Sequence, residues 1–282
     1  IRQSRKIFRL HQVEVVLGMG GFTSLPPIYA AQKMGLLTAL HDSNALPGKA
    51  NRLAARWCSR ILLGLEAARG YFESSRVEVT GTPVRSEFGN LPSETEARKG
   101  FGLHPDRPVV LCFGGSQGAK GLNTLAAGAA ECLGTAVQWL HVAGRQDAER
   151  VKELVGDREG HVVCGFCDDM PAAYAASTLV ISRSGGASLT ELASLGLPSI
   201  LVPYPYAADD HQTFNARCFE EAGASLLVPE SVLRPASLAE MVGGLLADPA
   251  KLEAMGRAAE TLCPGDAVKR ICDSLESMEK AS

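Results

Sequence analysis

The chain has 282 residues, of which 46% are hydrophobic and 21% charged, an ordinary balance for a folded globular protein with room for two domains. No apolar run approaches the roughly 20 residues that a membrane-spanning helix needs. The net charge of −3 is uneven: the first 60 residues hold nine Lys/Arg and two Asp/Glu, or +7, which leaves −10 for the remainder. A basic end on an acidic protein indicates an anionic partner, either a membrane or a nucleic acid, unless it is only a solvated face.

Strand-like and helical segments alternate along the first part of the chain. We predict a basic amphipathic helix over residues 1–10, and then alternating strands and helices up to residue 80. The predicted strands are 13–17, 36–40, 60–63 and 77–80, and the predicted helices are 26–34 and 47–57. The polar, turn-rich stretch 86–92 is interpreted as a linker.

A second alternation follows the linker. Its predicted strands are 109–113, 137–142, 161–164, 178–182, 198–202 and 225–228, with helices between them and a helical end from residue 237. Alternating strands and helices predict parallel sheets covered by helices, and hence an α/β fold of two Rossmann-like domains. We place them at 1–85 and 86–282. The first has only three or four strands and is therefore expected to be incomplete.

Three glycine-rich loops each follow an apolar strand. They are Gly18–Phe22, Gly114–Ala119 and the run from Ser182 to Glu191, which leads into a helix. A strand, a glycine-rich turn and a helix N-terminus form an anion site, because free backbone N–H groups and the helix dipole favour negative charge. Glu191 would repel a phosphate and is better suited to accept hydrogen bonds from sugar hydroxyls. The pattern predicts a nucleotide or nucleotide-sugar site.

Eight cysteines are scattered along the chain, and Cys164 and Cys167 form the single C-x-x-C pair. Without a second pair or a nearby histidine pair this is no zinc signature. The position after a short strand favours structural, reduced cysteines in a loop.

Several distinctive stretches occur in order over the whole chain: 15–22, 41–44, 81–85, 114–119, 168–170 with 172–174, 183–185, and 210–212 with 215–216. Together they resemble the MurG family of bacterial glycosyltransferases. The resemblance implies a two-domain GT-B fold and inverting transfer of N-acetylglucosamine from UDP-N-acetylglucosamine to lipid I, forming lipid II in peptidoglycan synthesis. It implies work at the cytoplasmic face of the bacterial plasma membrane by a peripheral protein, without nucleic acid, cofactor or bound metal.

The resemblance also implies roles for particular residues. Asn44 would contact the donor sugar, and Arg85, Gly114, Gly115 and Ser116 would hold the diphosphate. The backbone of Cys167 would meet the uracil, and His211 and Gln212 would bind sugar hydroxyls. The α-phosphate and ribose would lie against Gly186, Ala187, Ser188, Leu189, Thr190 and Glu191. Gly20, Gly21 and Phe22 would line the acceptor side, and no catalytic residue is assigned.

Some of these residues have simpler structural interpretations. Arg85 could pair with Glu87, Asn44 could be a cap or turn residue, and His211 could be a surface histidine. The family often has Glu-Gln where this chain has Asp42-Ser43, which leaves a catalytic role for that acid open. The family also has an earlier glycine-rich loop that carries a histidine. We therefore expect the sequence to begin partway through a longer protein, and transfer to need the preceding segment.

Two other functions remain open from the sequence. One is a different GT-B glycosyltransferase that acts on glycolipids. The other is a non-catalytic nucleotide-sugar-binding relative.

Overall fold

The computed structural model of the protein describes residues 1–115 and 118–279 and has two compact α/β units. The first unit comprises residues 1–84 and 263–282, and the second comprises residues 85–262. Two parallel α/β units agree with the predicted fold class. The predicted boundary differs in two respects. Arg85 was expected in the first unit but belongs to the second, and residues 263–282 were expected in the second unit but belong to the first.

The first unit has a four-stranded parallel sheet in the order β1-β2-β3-β4. Its strands are β1 (Val15–Gly18), β2 (Leu37–Asp42), β3 (Arg60–Leu63) and β4 (Val77–Val79). Its helices are α1 (Arg2–Leu10), α2 (Leu25–Gln32), α3 (Lys49–Ala54) and α12 (Ala267–Glu279). Short 3₁₀ turns occur at Phe22–Ser24, Ala55–Trp57, Glu66–Tyr71 and Ser74–Arg76. The core packs Ile28 of α2 against Leu40, Ile61 and Leu63 of the sheet.

The second unit has a six-stranded parallel sheet in the order β10-β9-β8-β5-β6-β7. Its strands are β5 (Val109–Phe113), β6 (Gln138–Val142), β7 (His161–Cys164), β8 (Leu179–Ser182), β9 (Ser199–Leu201) and β10 (Ser225–Leu227). Its helices are α4 (Glu94–Gly100), α5 (Lys120–Leu133), α6 (Ala148–Val155), α7 (Met170–Ala176), α8 (Gly186–Ser194), α9 (His211–Glu221), α10 (Pro235–Leu246) and α11 (Pro249–Glu260). Ser86–Gly89 and Ala208–Asp210 are 3₁₀ turns.

The central strands form because they are apolar throughout. Every residue of β5, β6 and β8 is buried, as expected for strands that are covered by helices on both faces. The predicted strands are all present within one or two residues of their expected ends.

One prediction about an irregular region was wrong. The stretch 86–92 is not a plain linker, because Phe88 is buried in a 3₁₀ turn and Ser93 and Glu96 then form a capping box that starts α4. The helical end predicted from residue 237 is present and consists of three helices, the first of which begins at Pro235. Pro249 starts α11, and Asp266, which has φ of 58°, precedes α12.

None of the helices in the described residues is long and apolar enough to cross a membrane.

Candidate functional site

The candidate site of the second unit lies where its strand order reverses. β5 is the first strand of this unit, and it pairs in parallel with β6 on one side and with β8 on the other. The loops after β5 and β8 therefore leave the same edge of the sheet in divergent directions. This switch point at the carboxyl ends of the strands is the usual ligand crevice of such sheets.

The loop after β5 needs glycine at two positions for steric reasons. A Cβ on Gly114 would lie 2.2 Å from the Cβ of Ala119, and one on Gly118, which has φ of +74°, would lie 2.4 Å from the Ala143 carbonyl oxygen. Gly115 differs, because its φ is +90° but no atom of the described residues, its chain neighbours aside, lies within 4 Å of where a Cβ would be. That position is free for a ligand to approach the backbone. Ser116 lies outside the described residues.

The loop after β8 presents the start of α8. Gly185, the N-cap residue, is extended and has no side chain that could bond the first N–H groups of the helix. Within the helix, Leu189 is buried and the Thr190 hydroxyl donates to the Gly186 carbonyl at 2.8 Å. The residues available to an anion are therefore the backbones of Gly186, Ala187 and Ser188.

Buried polar contacts hold this loop in place. The Arg183 guanidinium donates to the carbonyl oxygens of Val202 and Pro203, both at 3.0 Å. The Ser184 hydroxyl donates to the Gln212 carbonyl at 2.7 Å. The Arg-Ser-Gly stretch that carried part of the resemblance thus fixes the positions of the helix starts of α8 and α9.

A cavity of about 470 Å³ opens at this edge of the second unit, a size that suits a small-molecule ligand. Four of the predicted donor residues line it: Arg85, Gly115, Cys167 and Glu191. The other lining residues had no ligand role in the sequence-based prediction; they are Phe113, Val142, Gly144, Gly165, Phe166, Asp168 and Met170.

Glu191 is the partly buried acid of this cavity, whereas Asp168, which also lines it, is exposed. Two side chains approach the Glu191 carboxylate. Its Oε2 accepts a hydrogen bond from the Tyr174 hydroxyl at 2.8 Å, and its Oε1 lies 3.7 Å from Nη2 of Arg85. Burial raises the pKa of Glu191, while the Tyr174 hydrogen bond and the Arg85 charge oppose that shift. Arg85 therefore pairs with Glu191 rather than with Glu87 in the described structure, and its guanidinium lies 5.1 Å from the centre of the Phe88 ring.

The loop after β7 forms another wall of the cavity. Cys167 is buried, and burial raises the pKa of its thiol to about 11, so the side chain is neutral. Phe166 beside it is exposed, and the Arg145 guanidinium lies 4.7 Å from its ring centre. Asp169 ends the loop, because its carboxylate accepts from the Ala172 N–H and caps α7.

His211 and Gln212 stand at the start of α9 and are not among the described residues that line the cavity. A His211 ring nitrogen pairs with the Ala208 carbonyl at 2.7 Å, and the Gln212 side-chain oxygen accepts from the Tyr204 N–H at 2.9 Å. Asp209 and Asp210 just before them have φ of 53° and 55°, a left-handed backbone that is uncommon outside glycine.

The predicted acceptor loop lies in the first unit, after β1. Gly20 and Gly21 both have positive φ, and the Gly21 N–H donates to Oδ1 of Asn51 at 3.1 Å. Asn51 in turn donates to Oδ2 of Asp42 at 2.7 Å. Phe22 is 79% exposed, so it is available for contact rather than part of the core.

Asn44 also belongs to the first unit, at the end of β2. Its N–H donates to Oδ1 of Asp42 at 2.9 Å, and its side-chain amide lies 3.3 Å from the same oxygen. Both carboxylate oxygens of Asp42 are thus engaged in holding backbone and amide groups. These contacts agree with the structural alternative given for Asn44 in the sequence analysis, a residue that stabilises a turn.

Sequence reasoning missed Tyr174 and Phe113 as parts of the site. Tyr174 stood in one of the family-like stretches but had no assigned role, and Phe113 was interpreted only as the end of a strand. The signal that could have found Phe113 is its place at the carboxyl end of the strand before the glycine loop.

Among residues 1–115 and 118–279, no group of three or more His, Cys, Asp or Glu side chains could hold a metal ion.

Comparison with known proteins agrees with this geometry. The two α/β units, the second with a nucleotide-type crevice, are those of the GT-B class of glycosyltransferases. Residues 1–63 match the glycosyltransferase family 28 N-terminal domain, and residues 109–271 match the family 28 C-terminal domain. The chain belongs to glycosyltransferase family 28 and, within it, to the MurG transferases.

Individual relatives support the family assignment. The UDP-N-acetylglucosamine–N-acetylmuramyl-(pentapeptide) pyrophosphoryl-undecaprenol N-acetylglucosamine transferase of Synechococcus elongatus is 38% identical over 97% of this chain and 76% of its own length. The Listeria monocytogenes transferase of the same name is 35% identical over 99% and 78%. The crystal structure of MurG from Acinetobacter baumannii has a TM-score of 0.78 at 26% identity, covering 98% of this chain and 77% of that one.

The fold is shared more widely than the family. The UDP-GlcNAc 2-epimerase from Neisseria meningitidis, solved with UDP-GlcNAc bound, has a TM-score of 0.73 at 17% identity, covering 97% of this chain and 78% of that one. At that identity the likeness concerns the fold alone.

Proposed function

We propose that the protein transfers N-acetylglucosamine from UDP-N-acetylglucosamine to the muramyl 4-hydroxyl of lipid I, forming lipid II with inversion. The single observation that carries the donor half is the cavity of the second unit, which brings a cation, a partly buried carboxylate and an open glycine backbone together. The acceptor half rests on family membership, since the relatives named above act on an undecaprenol-linked acceptor.

The donor roles follow from the chemistry of each group. Glu191 accepts hydrogen bonds from the ribose hydroxyls, because a carboxylate presents only acceptors at neutral pH. Arg85 and the Gly114–Gly115 backbone bind the diphosphate, together with Ser116. The N-terminus of α8, from Gly186 to Ser188, faces the α-phosphate, and Leu189 and Thr190 support it from within the helix.

The remaining contacts are assigned to other loops of the second unit and to loops of the first unit. The backbone at Cys167 meets the uracil, since its buried thiol offers little to a base. His211, Gln212 and Asn44 serve the sugar hydroxyls. Gly20, Gly21 and Phe22 line the acceptor side, where paired glycines let the acceptor approach the backbone.

The proposed reaction uses these assigned roles. The acceptor hydroxyl oxygen attacks C1 of the sugar, the bond from C1 to the diphosphate oxygen breaks on the opposite face, and UDP leaves with the bonding electrons. Arg85 and the α8 N-terminus stabilise the charge that develops on the diphosphate. The group that takes the proton is not assigned, and both oxygens of Asp42 are engaged in hydrogen bonds.

A membrane role is proposed for the first unit. The exposed basic residues Arg2, Lys6 and Arg9 of α1 stand beside Ile7 and Leu10, which are also exposed. An apolar cavity of about 290 Å³ adjoins this helix and is lined by Ile1, Phe22, Leu25, Pro26, Tyr29 and Trp57. Basic and apolar side chains together are typical of a helix that lies on an anionic lipid surface. We assign this surface to the cytoplasmic face of the bacterial plasma membrane, where a lipid-linked acceptor is reached.

Calorimetry with UDP tests the donor site. Glu191→Ala is expected to weaken UDP binding by about 1–3 kcal/mol, the scale of hydrogen bonds to a charged group. Glu149→Ala is the matched control, because Glu149 is an exposed acid of α6 that pairs only with Lys152 among the described contacts. Equal affinity of the Glu191→Ala variant and the unsubstituted protein would remove the ribose role.

Transfer itself is assayed on the full-length protein with UDP-N-acetylglucosamine and a lipid I analogue. Turnover is expected to continue in excess chelator, because the charge on the leaving UDP is met by Arg85 and backbone N–H groups. Loss of activity in chelator that Mg²⁺ or Mn²⁺ restores would contradict this. Binding of UDP without any transfer would favour a non-catalytic binding protein.

A further inference from the structure

We propose that Tyr174 is a positioning residue of the donor site, whose hydroxyl orients the Glu191 carboxylate toward the ribose. The inference rests on the proposed function, from which it takes the ribose role of Glu191. It adds a residue that touches no substrate and acts through the carboxylate it holds.

The position of the Tyr174 ring is fixed by aromatic packing. Tyr174 lies on α7, is 1% exposed, and packs against Phe88 and Phe113, whose ring centres are each 5.8 Å away. The Phe113 ring is nearly perpendicular to it, at 84°, and the Phe88 ring is inclined at 50°. A ring held on two sides directs its hydroxyl to one place.

That place is the Glu191 carboxylate. The Tyr174 hydroxyl donates to Oε2 at 2.8 Å, across 17 residues of sequence and from a different helix. A phenylalanine would fill the same aromatic pocket without a buried hydroxyl to satisfy. The hydroxyl therefore contributes through its bond to Glu191 rather than through packing.

The two oxygens of the carboxylate are held differently. Oε2 accepts the Tyr174 hydrogen bond, whereas among the described residues Oε1 is approached by Arg85 at 3.7 Å, and the Glu191 side chain remains 19% exposed. Because Glu191 lines the cavity, Oε1 and the second lone pair of Oε2 are the acceptors that it can offer to a ligand there. The charged or titratable side chains around Glu191 are Arg85 and Tyr174, and Asp168 and Cys167 line the same cavity.

The hydroxyl also favours the charged form of the carboxyl group. Burial raises the pKa of Glu191, and the Tyr174 hydrogen bond is the leading influence that lowers it. Removal of the hydroxyl is therefore expected to raise the pKa of Glu191 further. The protonated acid would then replace one of its acceptor sites by a donor and bind the ribose less well.

The experiment measures the dissociation constant of UDP-N-acetylglucosamine by calorimetry between about pH 5 and pH 8. This ligand is chosen because its diphosphate is esterified at both ends and does not titrate in that window. The full-length protein is compared with Tyr174→Phe, Glu191→Gln and the double variant. Tyr71→Phe is the matched control, because Tyr71 is a half-exposed tyrosine of the first unit.

Tyr174→Phe is expected to bind about tenfold more weakly across this pH range, because the carboxylate loses the hydrogen bond that orients it, and the loss is expected to grow toward the acid end. Its pH midpoint moves upward, which loss of packing alone would not produce. In the Glu191→Gln background the same substitution is expected to change affinity less than about threefold and to give no pH shift. Thermal unfolding checks that the Phe variant is folded.

Two outcomes would contradict different parts of the account. If Tyr174→Phe weakens binding equally at every pH, and equally in the Glu191→Gln background, the hydroxyl has only a structural role. If Glu191→Gln itself binds with unchanged affinity, the proposed ribose role fails, whatever Tyr174 does.

Discussion

At the scale of single residues, the second unit holds a buried histidine, His141, and a half-buried one, His161, and neither lines the donor cavity. His141 on β6 is fully buried, and its Nε2 lies 3.1 Å from Oδ1 of Asn123. Because an amide oxygen can only accept, Nε2 carries the proton, and Nδ1 then faces Nε2 of His161 at 3.4 Å. A second proton on His141 would have to sit between the two rings.

This arrangement keeps both rings neutral. Burial lowers the pKa of His141 to about 4, although Asp147 opposes the shift and Arg150 reinforces it. Burial, His141 and Arg158 lower the pKa of His161 to about 3. Below about pH 6.5, both histidines therefore bind protons in the unfolded state but stay neutral in the folded state.

The pair is expected to make stability depend on pH in a defined window. Above the unfolded pKa of about 6.5, the histidines are neutral in both states and do not change the free energy of unfolding with pH. As the pH falls from there toward 4, the unfolded state gains protons first, so the free energy of unfolding drops, by about 3 kcal/mol for His141. Denaturant titrations across this range measure the slope.

Substitution at His141 tests the source of that slope. His141→Gln is expected to lose less stability between about pH 6.5 and 4 than the unsubstituted protein does. His11→Gln, at an exposed histidine of the first unit, should keep the full slope. A full slope in the His141→Gln variant would assign the effect to other groups.

The residues of the donor site were only partly predictable from the sequence. Gly115 and Arg85 stand in loops and Glu191 stands in helix α8 after a glycine-rich loop, and the structure brings all three to one cavity. Tyr174 looks like an ordinary aromatic core residue, because its partner Glu191 is 17 positions away on another helix. Local patterns do not reveal such a contact between elements.

At the scale of elements, apolar strands were easier to predict than polar helices. β5 and β8 are continuous apolar runs because both faces are covered, and such runs are visible in the sequence. Helix α4 was missed because its sequence is almost wholly polar. Its buried Arg98 bonds the Ala176 carbonyl and the Thr178 hydroxyl, partners that lie 78 and 80 residues away.

Helix α1 carries the prediction at this scale. Its apolar side chains Ile7 and Leu10 are exposed, whereas Arg5, one of the four basic residues of this helix, is half-buried. We expect the full-length protein to sediment with anionic but not neutral vesicles, less so as salt rises. Arg2→Glu with Lys6→Glu should reduce binding by about 2 kcal/mol or more, roughly 30-fold.

The matched control for α1 reverses the same number of positive charges at positions outside this helix. Lys152→Glu with Lys251→Glu places two reversals on exposed helices of the second unit. That variant should bind vesicles as the unsubstituted protein does. Equal loss in both variants would indicate a general charge effect, and equal binding to neutral vesicles would remove the electrostatic part of the proposal.

At the scale of the whole molecule, the two units are not two consecutive halves of the chain, because the first unit is built from both ends of the sequence. The final helix α12 belongs to the first unit, although the whole second unit separates it from β4 in sequence. Ser274 donates to Oε2 of Glu78 at 2.6 Å, and Ile271 and Met278 are buried. The sequence showed that residues after 237 are helical but carried no signal for which sheet they cover.

Because α12 belongs to the first unit, a core substitution in this helix is expected to destabilise the first unit rather than the second. Ile271→Ala removes a buried side chain that is 5% exposed and should lower the free energy of unfolding of the first unit by about 2–4 kcal/mol. Hydrogen exchange is expected to locate the loss in the strands of the first unit, β1 to β4. UDP affinity should stay unchanged, because the donor cavity is lined by residues of the second unit.

Val268→Ala supplies the matched control on the same helix, since Val268 is 56% exposed and its truncation should change stability by less than about 0.5 kcal/mol. Faster exchange in β5 to β10 of the Ile271→Ala variant, with β1 to β4 unaffected, would contradict the assignment of α12 to the first unit. Weakened UDP binding with full protection of both sheets would instead mean that α12 acts on the donor site. The expected pattern is loss of exchange protection in β1 to β4 with unchanged UDP affinity. It requires that the two ends of the chain stabilise the first unit while residues 85–262 bind the donor.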